Sequence, residues 1–434
     1  MGVMNELINP GVVGSMERIL AAASPGSRFT HLAAAAGHLE GLSLRERTDI
    51  LSRALFADLP GDYAGTASVF RRALDDPDFT GWMIWPVTET AATLALAPTG
   101  PDDFEDCLAL LAELTPRLTA EFAIRRLLAA DLDRALAVIR AWTSHPDWHV
   151  RRLASEGTRA YLPWAVRVPE ITDRPAATLP ILDALYRDPV VDVRRSVANH
   201  LNDLARHAPD DVVATAASWM AAPDENTPWV VRHGLRTLLK KAHPGALELL
   251  GFPPASIAVT PPRLDSTAVE LPGELTFEFD ITNNGPAEAR LAVDFVVHYA
   301  KANGTLAEKV FKLATPVLGP GESRRFSKRH AFRQMTTRVH HPGDHALQLQ
   351  VNGVRYPTTG FPVGTCGATA PARGGGGQRP RPLRPQAPFA RPWAGERDHT
   401  HRSNAGRDGT AGQRRAARSR QIVAPDRHRS DTAR

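Results

Sequence analysis

The sequence predicts a mainly α-helical protein: a HEAT-like helical solenoid followed by a small immunoglobulin-like β-sandwich and a disordered basic tail. Three observations predict it. A Val-Arg motif recurs at the spacing of helix pairs, the hydrophobic period drops from about 3.6 to 2 near residue 252, and the composition changes once more after Val363. With 434 residues, 43% of them hydrophobic, the chain can hold two or three domains with sizeable cores.

Residues 1–252 read as the helical repeat domain. "HPDWHVRR" at 145, "DPVVDVRR" at 188 and "TPWVVRH" at 227 align on Val150-Arg151, Val193-Arg194 and Val231-Arg232, with steps of 43 and 38 residues. That is the period of stacked helical pairs. Each proline is expected to open the second helix of its pair, where its missing N–H costs nothing. "LDRALAVIRAW" and "LPILDALYR" supply first helices. Residues before 115 are helical too, with repeats too degenerate to delimit.

Residues 254–363 read as the sandwich. Leu275, Phe277, Phe279 and Ile281 alternate with polar residues, as do Leu291, Val293, Phe295, Val297 and Tyr299, and then Leu347, Leu349 and Val351. Asn352-Gly353 suits a type I′ hairpin between "LQLQV" and "VRYPT". Six or seven short strands are expected, without the disulfide of antibody domains.

Residues 364–434 are rich in Gly, Pro and Arg and too poor in aliphatics to offset the entropy of ordering. They hold fifteen Arg, no Lys and five acidic residues, a net +10, whereas the preceding 363 residues carry 37 basic against 42 acidic side chains, a net −5. The tail fits a solvated segment without a specific role, or an arm that binds phosphate nonspecifically and salt-dependently. A folded part that binds DNA must do so through a local basic face. The two cysteines, Cys107 and Cys366, exclude a disulfide framework and a Cys-based zinc site and fit a reducing compartment. The N-terminus has no signal-peptide pattern and no apolar run reaches membrane length, so a soluble cytoplasmic protein is expected.

The repeat serves as a ruler for the polar residues. After Pro146 the buried stripe is Val150, Leu153, Ala154 and Gly157, which leaves Arg152, Glu156 and Arg159 on an adjoining face. In the next repeat Val193, Val197, Leu201 and Leu204 are buried, leaving Arg195, Asn199, Asp203 and Arg206. Glu156 aligns with Asn199 and Thr237, and Asp203 with Ala160 and Lys241, so neither acid belongs to the repeat. On parallel helices about 8–10 Å apart the two acids can face one cleft. A third acid, Glu121, is placed at the front of a helix signalled by Thr115-Pro116.

These acids also fit ordinary ion pairs, Glu156 with Arg152 or Arg159, Glu121 with Arg125 and Asp203 with Arg206, each worth roughly 0.2–0.5 kcal/mol. A glycine inside a helix costs about 1 kcal/mol, so Gly157 signals a close approach to a neighbour or a ligand. Arg151, Arg194 and Arg232 fit either a ladder tying the repeats together or contacts to phosphate.

"VRRLASEGTRAYLPWA", with "EFAIRR" upstream and "DPVVDVRRSVANHLNDLA" downstream, resembles the AlkC branch of the bacterial HEAT-like alkylated-base DNA glycosylases. The resemblance covers residues 110–250 well and the earlier helices loosely. One subgroup of that branch carries an immunoglobulin-like domain. The resemblance implies excision of cationic N3-alkylated bases, chiefly 3-methyladenine and 3-methylcytosine, from double-stranded DNA by hydrolysis of the N-glycosidic bond, with catalytic carboxylates on Glu121, Glu156 and Asp203. The chain departs from the family pattern at Ala160-Tyr161, where Pro-Arg is frequent, and at Arg126, where proline is.

The chemistry suits these residues independently. A base cationic at N3 already leaves well, and carboxylates can stabilise an oxocarbenium-like sugar and position water. Glu156 and Asp203 are assigned to sugar and water, with Glu121 in support. No lysine stands out as a Schiff-base former, which favours a monofunctional hydrolase over a lyase. Arg152, Arg159, Arg194, Arg195 and Arg232 would form the local basic face. Trp148 and Trp164 fit contact with the lesion or deoxyribose, and equally core packing. Arg324, Arg325, Lys328, Arg329 and Arg333, with His330, fit a clamp on the duplex or a charge-protected edge strand. No cofactor or metal is expected, since no His/Asp/Glu cluster has ligand spacing, and the protein is expected to act as a monomer. A non-catalytic scaffold and a lesion-binding DNA protein are the competing readings.

Overall fold

The computed structural model describes residues 2–97, 100, 102–333 and 339–365; the tail expected over 364–434 lies outside them from 366 onward. Helix pairs recur along the first part. Asp103–Leu114 precedes Ile124–Ala130, Leu132–Ala141 precedes Trp148–Glu156, Leu179–Leu185 precedes Val191–Leu204, and Pro209–Ala221 precedes Thr227–Gly234. The second helices pack on one another in sequence, Trp148–Glu156 against Val191–Leu204 and the latter against Thr227–Gly234. Val150, Val193 and Val231 are all buried, as the Val-Arg ruler requires. The earlier pairs, which the sequence does not delimit, continue the pattern with Leu44–Asp58 packed on Ile84–Ala95. One apolar core runs through the whole stack, from Ile8 to Ala246. No helix of the described residues is long and apolar enough to cross a membrane.

The prolines sit differently from expectation in two of three repeats. Pro228 does lie in the first turn of its helix. The helix after Pro146 starts at Trp148, because Asp147 is its N-cap and accepts a hydrogen bond from the His149 N–H; the one after Pro189 starts at Val191. Proline shapes the preceding turn there, and a carboxylate takes the free N–H groups: Asp188 accepts from the Val190 N–H at 2.8 Å. Glu121 likewise precedes its helix. Thr115 ends the Asp103–Leu114 helix and the next begins at Ile124, so Glu121 lies in the turn between them.

Two glycines mark the seams between second helices. Gly157 is the C-cap of the Trp148–Glu156 helix, so its position is terminal; an added Cβ would stand 2.9 Å from Ile124 Cγ2 and 3.0 Å from the Leu153 carbonyl. At Gly234 it would stand 2.8 Å from Leu201 Cδ2. The close approach inferred for Gly157 is to a neighbouring helix.

The strands form two main sheets over one core. Gly273–Asn283 pairs with Ser323–Phe332 on one side and with Ile257–Val259 and Arg263–Leu264 on the other. The second sheet runs Val269–Leu271, Val354–Thr365, Gly343–Val351, Val293–Ala300, Leu306–Ala314. All the alternating apolar residues of the long strands are buried, and Phe277 meets Phe295 edge-on at 5.2 Å. The strands outnumber the six or seven expected because segments such as Arg263–Leu264, Ala289–Arg290 and Val317–Leu318 are two residues long, too short to show a period. Asn352 and Gly353 have φ of 43° and 85° in a two-residue turn, the signature of the I′ hairpin. That turn packs on the end of the helical stack. A Cβ on Gly353 would lie 2.8 Å from Leu247 Cδ1, and Asn352 Nδ2 donates to the Pro253 carbonyl at 2.8 Å.

Candidate active site

Three turns of chain bring the candidate acids together. Glu156 ends its helix, Arg152 lies one turn earlier, Arg159 follows in the loop, and Asp203 sits one helix over. Glu121 Oε2 accepts from Thr119 Oγ1 at 3.0 Å and lies 3.2 Å from Arg152 Nη1. Arg152 Nη2 is 3.9 Å from Glu156 Oε1. Arg159 then bridges, with Nη1 2.7 Å from Glu156 Oε1 and Nε 2.9 Å from Asp203 Oδ2. The result is a run of alternating charge, Glu121–Arg152–Glu156–Arg159–Asp203, contributed by three successive layers. Of the pairs expected from spacing alone, Glu156 with Arg152 and Arg159 is present. Glu121 takes Arg152 where Arg125 was expected, and Asp203 takes Arg159 where Arg206 was expected.

Burial separates the acids electrostatically. The side chains of Glu121, Glu156 and Asp203 are 12%, 9% and 6% exposed. Burial pushes the carboxyls of Glu121 and Asp203 above their ordinary values in spite of Arg152 and Arg159. At Glu156 burial pulls the same way, but Arg159 and Arg152, with hydrogen bonds from Ser196 and Arg159, outweigh it and hold the carboxyl low. One firmly ionised carboxylate thus stands between two that hold protons more readily. His200, wholly buried beneath, is pushed down to about 3 by burial and stays neutral, hydrogen-bonded to the Ser155 carbonyl at 2.9 Å.

Sequence reasoning assigned Arg125 to Glu121; the structure gives it another task. Arg125 is 0% exposed and donates to the carbonyls of Val166 at 2.5 Å, Gly157 at 3.0 Å and Arg159 at 2.8 Å. It pins the loop that follows Glu156. On that loop Trp164 stands 69% exposed at φ 61°, a left-handed conformation that bulky residues rarely adopt, with Val166 exposed beside it. Tyr161 lies between two guanidinium groups, Arg167 and Arg206, each 4.3 Å from its ring, and its hydroxyl meets His207 Nε2 at 2.5 Å. Two cations therefore gather around this tyrosine.

The remaining predicted residues do not join the run. Arg194 donates to the carbonyls of Asp188 and Pro189 at 2.6 and 2.9 Å, and Arg151 pairs with Asp188 at 2.6 Å, so these two brace turns between repeats. Arg195 is exposed and pairs with Asp192. Arg232 is exposed without an ion pair among the described residues. Trp148 is half-buried, stacked on His149 at 3.8 Å. Arg325 pairs with Asp280, and Arg329 and Arg333 with Glu274, across the Gly273–Asn283 strand. Sequence reasoning missed Glu89, a buried acid that receives Arg126 Nε at 2.7 Å, Arg45 Nη1 at 3.2 Å and Trp85 Nε1 at 3.2 Å. Its signal was a single charge in the otherwise uncharged helix IWPVTETAATLA. Among the described residues no group of three or more His, Cys, Asp or Glu could hold a metal ion.

Comparison with known proteins gives these features a context. The family described as the C-terminal Ig-like domain of the uncharacterised protein YhaZ matches residues 258–365. YhaZ of Bacillus subtilis (strain 168) is 32% identical over 323 residues, 74% of this chain and 88% of the relative. The alkylpurine DNA glycosylase AlkC of Pseudomonas fluorescens, solved bound to DNA containing an abasic-site analogue, superposes with a TM-score of 0.72 at 33% identity, over 83% of this chain and 99% of that one. The chain belongs to the AlkC/YhaZ family. The family's helical stack and its Ig-like domain are both present here, and the stack carries the five-charge run.

Proposed function

We propose that this member of the AlkC/YhaZ family is a DNA repair glycosylase that hydrolyses the N-glycosidic bond of cationic N3-alkylated bases, with 3-methyladenine and 3-methylcytosine as substrates. The observation that carries the reading is the run Glu121–Arg152–Glu156–Arg159–Asp203, three carboxylates joined by two arginines in a chain that shares its fold with AlkC and is 33% identical to it over 83% of its own length. Glu156, held ionised by two arginines, is the fixed anion facing the sugar as positive charge develops at C1′. Asp203, whose carboxyl is raised by burial, accepts the proton of the attacking water, and Glu121 supports the water from the other side. The cationic base departs without needing a proton, and an abasic site remains. Trp164, exposed on its pinned loop, lies against the exposed lesion or its deoxyribose. Arg152 and Arg159 keep the acids in place, and Arg195 and Arg232 meet backbone phosphates. The protein works as a cytoplasmic monomer without a metal or organic cofactor.

A lesion-binding protein that does not cut is the second reading, favoured by the fact that every acid of the run already has an arginine partner. Incubation of the purified protein with duplex DNA containing 3-methyladenine or 3-methylcytosine separates the two. Release of free base is expected. Tight binding with no release would establish the second reading.

A further inference from the structure

A cavity of about 320 Å³ lies where the last helices of the stack meet the Val293–Ala300 and Leu306–Ala314 strands. Its charge is one-sided. Arg232 and Arg236 enter it from the helical side with Lys240, and Lys312 from the sheet. Arg232, Lys240 and Lys312 form no ion pair among the described residues, and Arg236 donates to the His233 carbonyl at 2.6 Å and to Asn199 Oδ1 at 3.1 Å, neither of them charged. Asp294 is the one acid in the lining; burial pushes its carboxyl up to about 6, so near neutral pH it is mostly ionised, faces Lys312 and Lys240, and offsets one of the four positive charges. Four cations against one carboxylate leave the cavity with an excess of positive charge, and the repulsion among them is a cost that an anionic guest lowers.

The remaining wall is aromatic and aliphatic. Trp229 is 44% exposed and lies parallel to the His233 ring, at 5.2 Å and 4°, and the buried Phe252 lines the cavity as well. A flat π-surface beside a cluster of cations suits a guest that is itself part planar ring and part phosphate. We propose that this cavity is a nucleotide-binding site separate from the acid run, with the phosphate held by Arg232, Lys240 and Lys312 and the base laid against Trp229. The guest is a nucleoside phosphate, either free or as an unpaired unit of a DNA strand. Arg236, which lines the cavity, is anchored to Asn199 and does not enter the acid run.

Isothermal titration of the full-length protein tests this with three probes: deoxyadenosine 5′-monophosphate, inorganic phosphate and a short single-stranded oligonucleotide. Lys240→Ala/Lys312→Ala, which alters two exposed side chains, and Trp229→Ala are measured alongside. The mononucleotide should bind more tightly than phosphate, at least tenfold weaker in the double variant, and Trp229→Ala should remove the advantage of nucleotide over phosphate. If only the oligonucleotide binds, with the same dependence on both variants, the guest is a unit of a DNA strand. If neither nucleotide probe binds, or binding is the same in all three proteins, the proposal is overturned. None of these readouts depends on base release, so loss of the glycosylase reading would leave this outcome separately visible.

Discussion

At the scale of the residue, the two kinds of carboxyl in the run predict opposite responses to acid. Glu156 is held below its ordinary value, so its pairing stabilises the fold above the unfolded glutamate range and is lost as pH falls through the lower folded value. Asp203 and Glu121 are raised, so they oppose folding at neutral pH, and that opposition disappears as they take up protons. Asp203→Asn should therefore remove turnover without lowering the melting temperature; a clear drop in Tm would contradict the assigned direction. The excision rate of the wild type should fall on the acid side with a limb above the ordinary aspartate range, and a limb at the ordinary value would contradict Asp203 as the base. Glu156→Gln should cost about 10²–10³-fold in single-turnover rate while duplex affinity is retained. Glu156 and Asp203 stood out in the sequence because the repeat supplies a ruler and they depart from it, whereas Glu121 lies outside the ruler and was marked by a turn signal and the family resemblance. Arg125 was not, since its partners are carbonyls of an irregular loop and no periodic pattern announces them.

Among elements, the seams decide geometry. Gly157→Ala drives a Cβ to 2.9 Å from Ile124 Cγ2 and 3.0 Å from a backbone oxygen that cannot yield cheaply. The expected loss is about 1–3 kcal/mol in denaturant unfolding, with a fall in excision because Glu156 is the adjoining residue. Wild-type stability in this variant would mean that the helices slide apart without strain. The prolines and Glu121 show what an element's sequence conceals. Composition marks a turn followed by a helix, but the starting residue is chosen by whichever side chain reaches the free N–H groups, as Asp147 and Asp188 do. Long strands were readable from alternation and the two-residue ones were not, because a period needs more than one repeat to be seen.

At the scale of the whole molecule, the sandwich is fastened to the stack by a hairpin tip. Gly353 has φ of 85° and a Cβ there would meet Leu247 and Ala242, so Gly353→Ala should strain the hairpin and loosen the attachment; faster proteolysis between residues 250 and 256, together with a lower melting temperature of the sandwich, is the expected result. Unaltered cleavage would show that other contacts carry the junction. The order of stack, then sandwich, was legible from the change in hydrophobic period, but the fastening was not, because Asn352-Gly353 signals a turn and says nothing of what the turn touches. The loop pinned by Arg125 has a further effect. Lifting it would strand a guanidinium in the interior, so Trp164 and Val166 keep their outward pose in the absence of any partner. Much of the freedom that a surface ordinarily gives up on docking has here been surrendered already, so on the proposed reading it is the arriving duplex that must conform to a rigid prow.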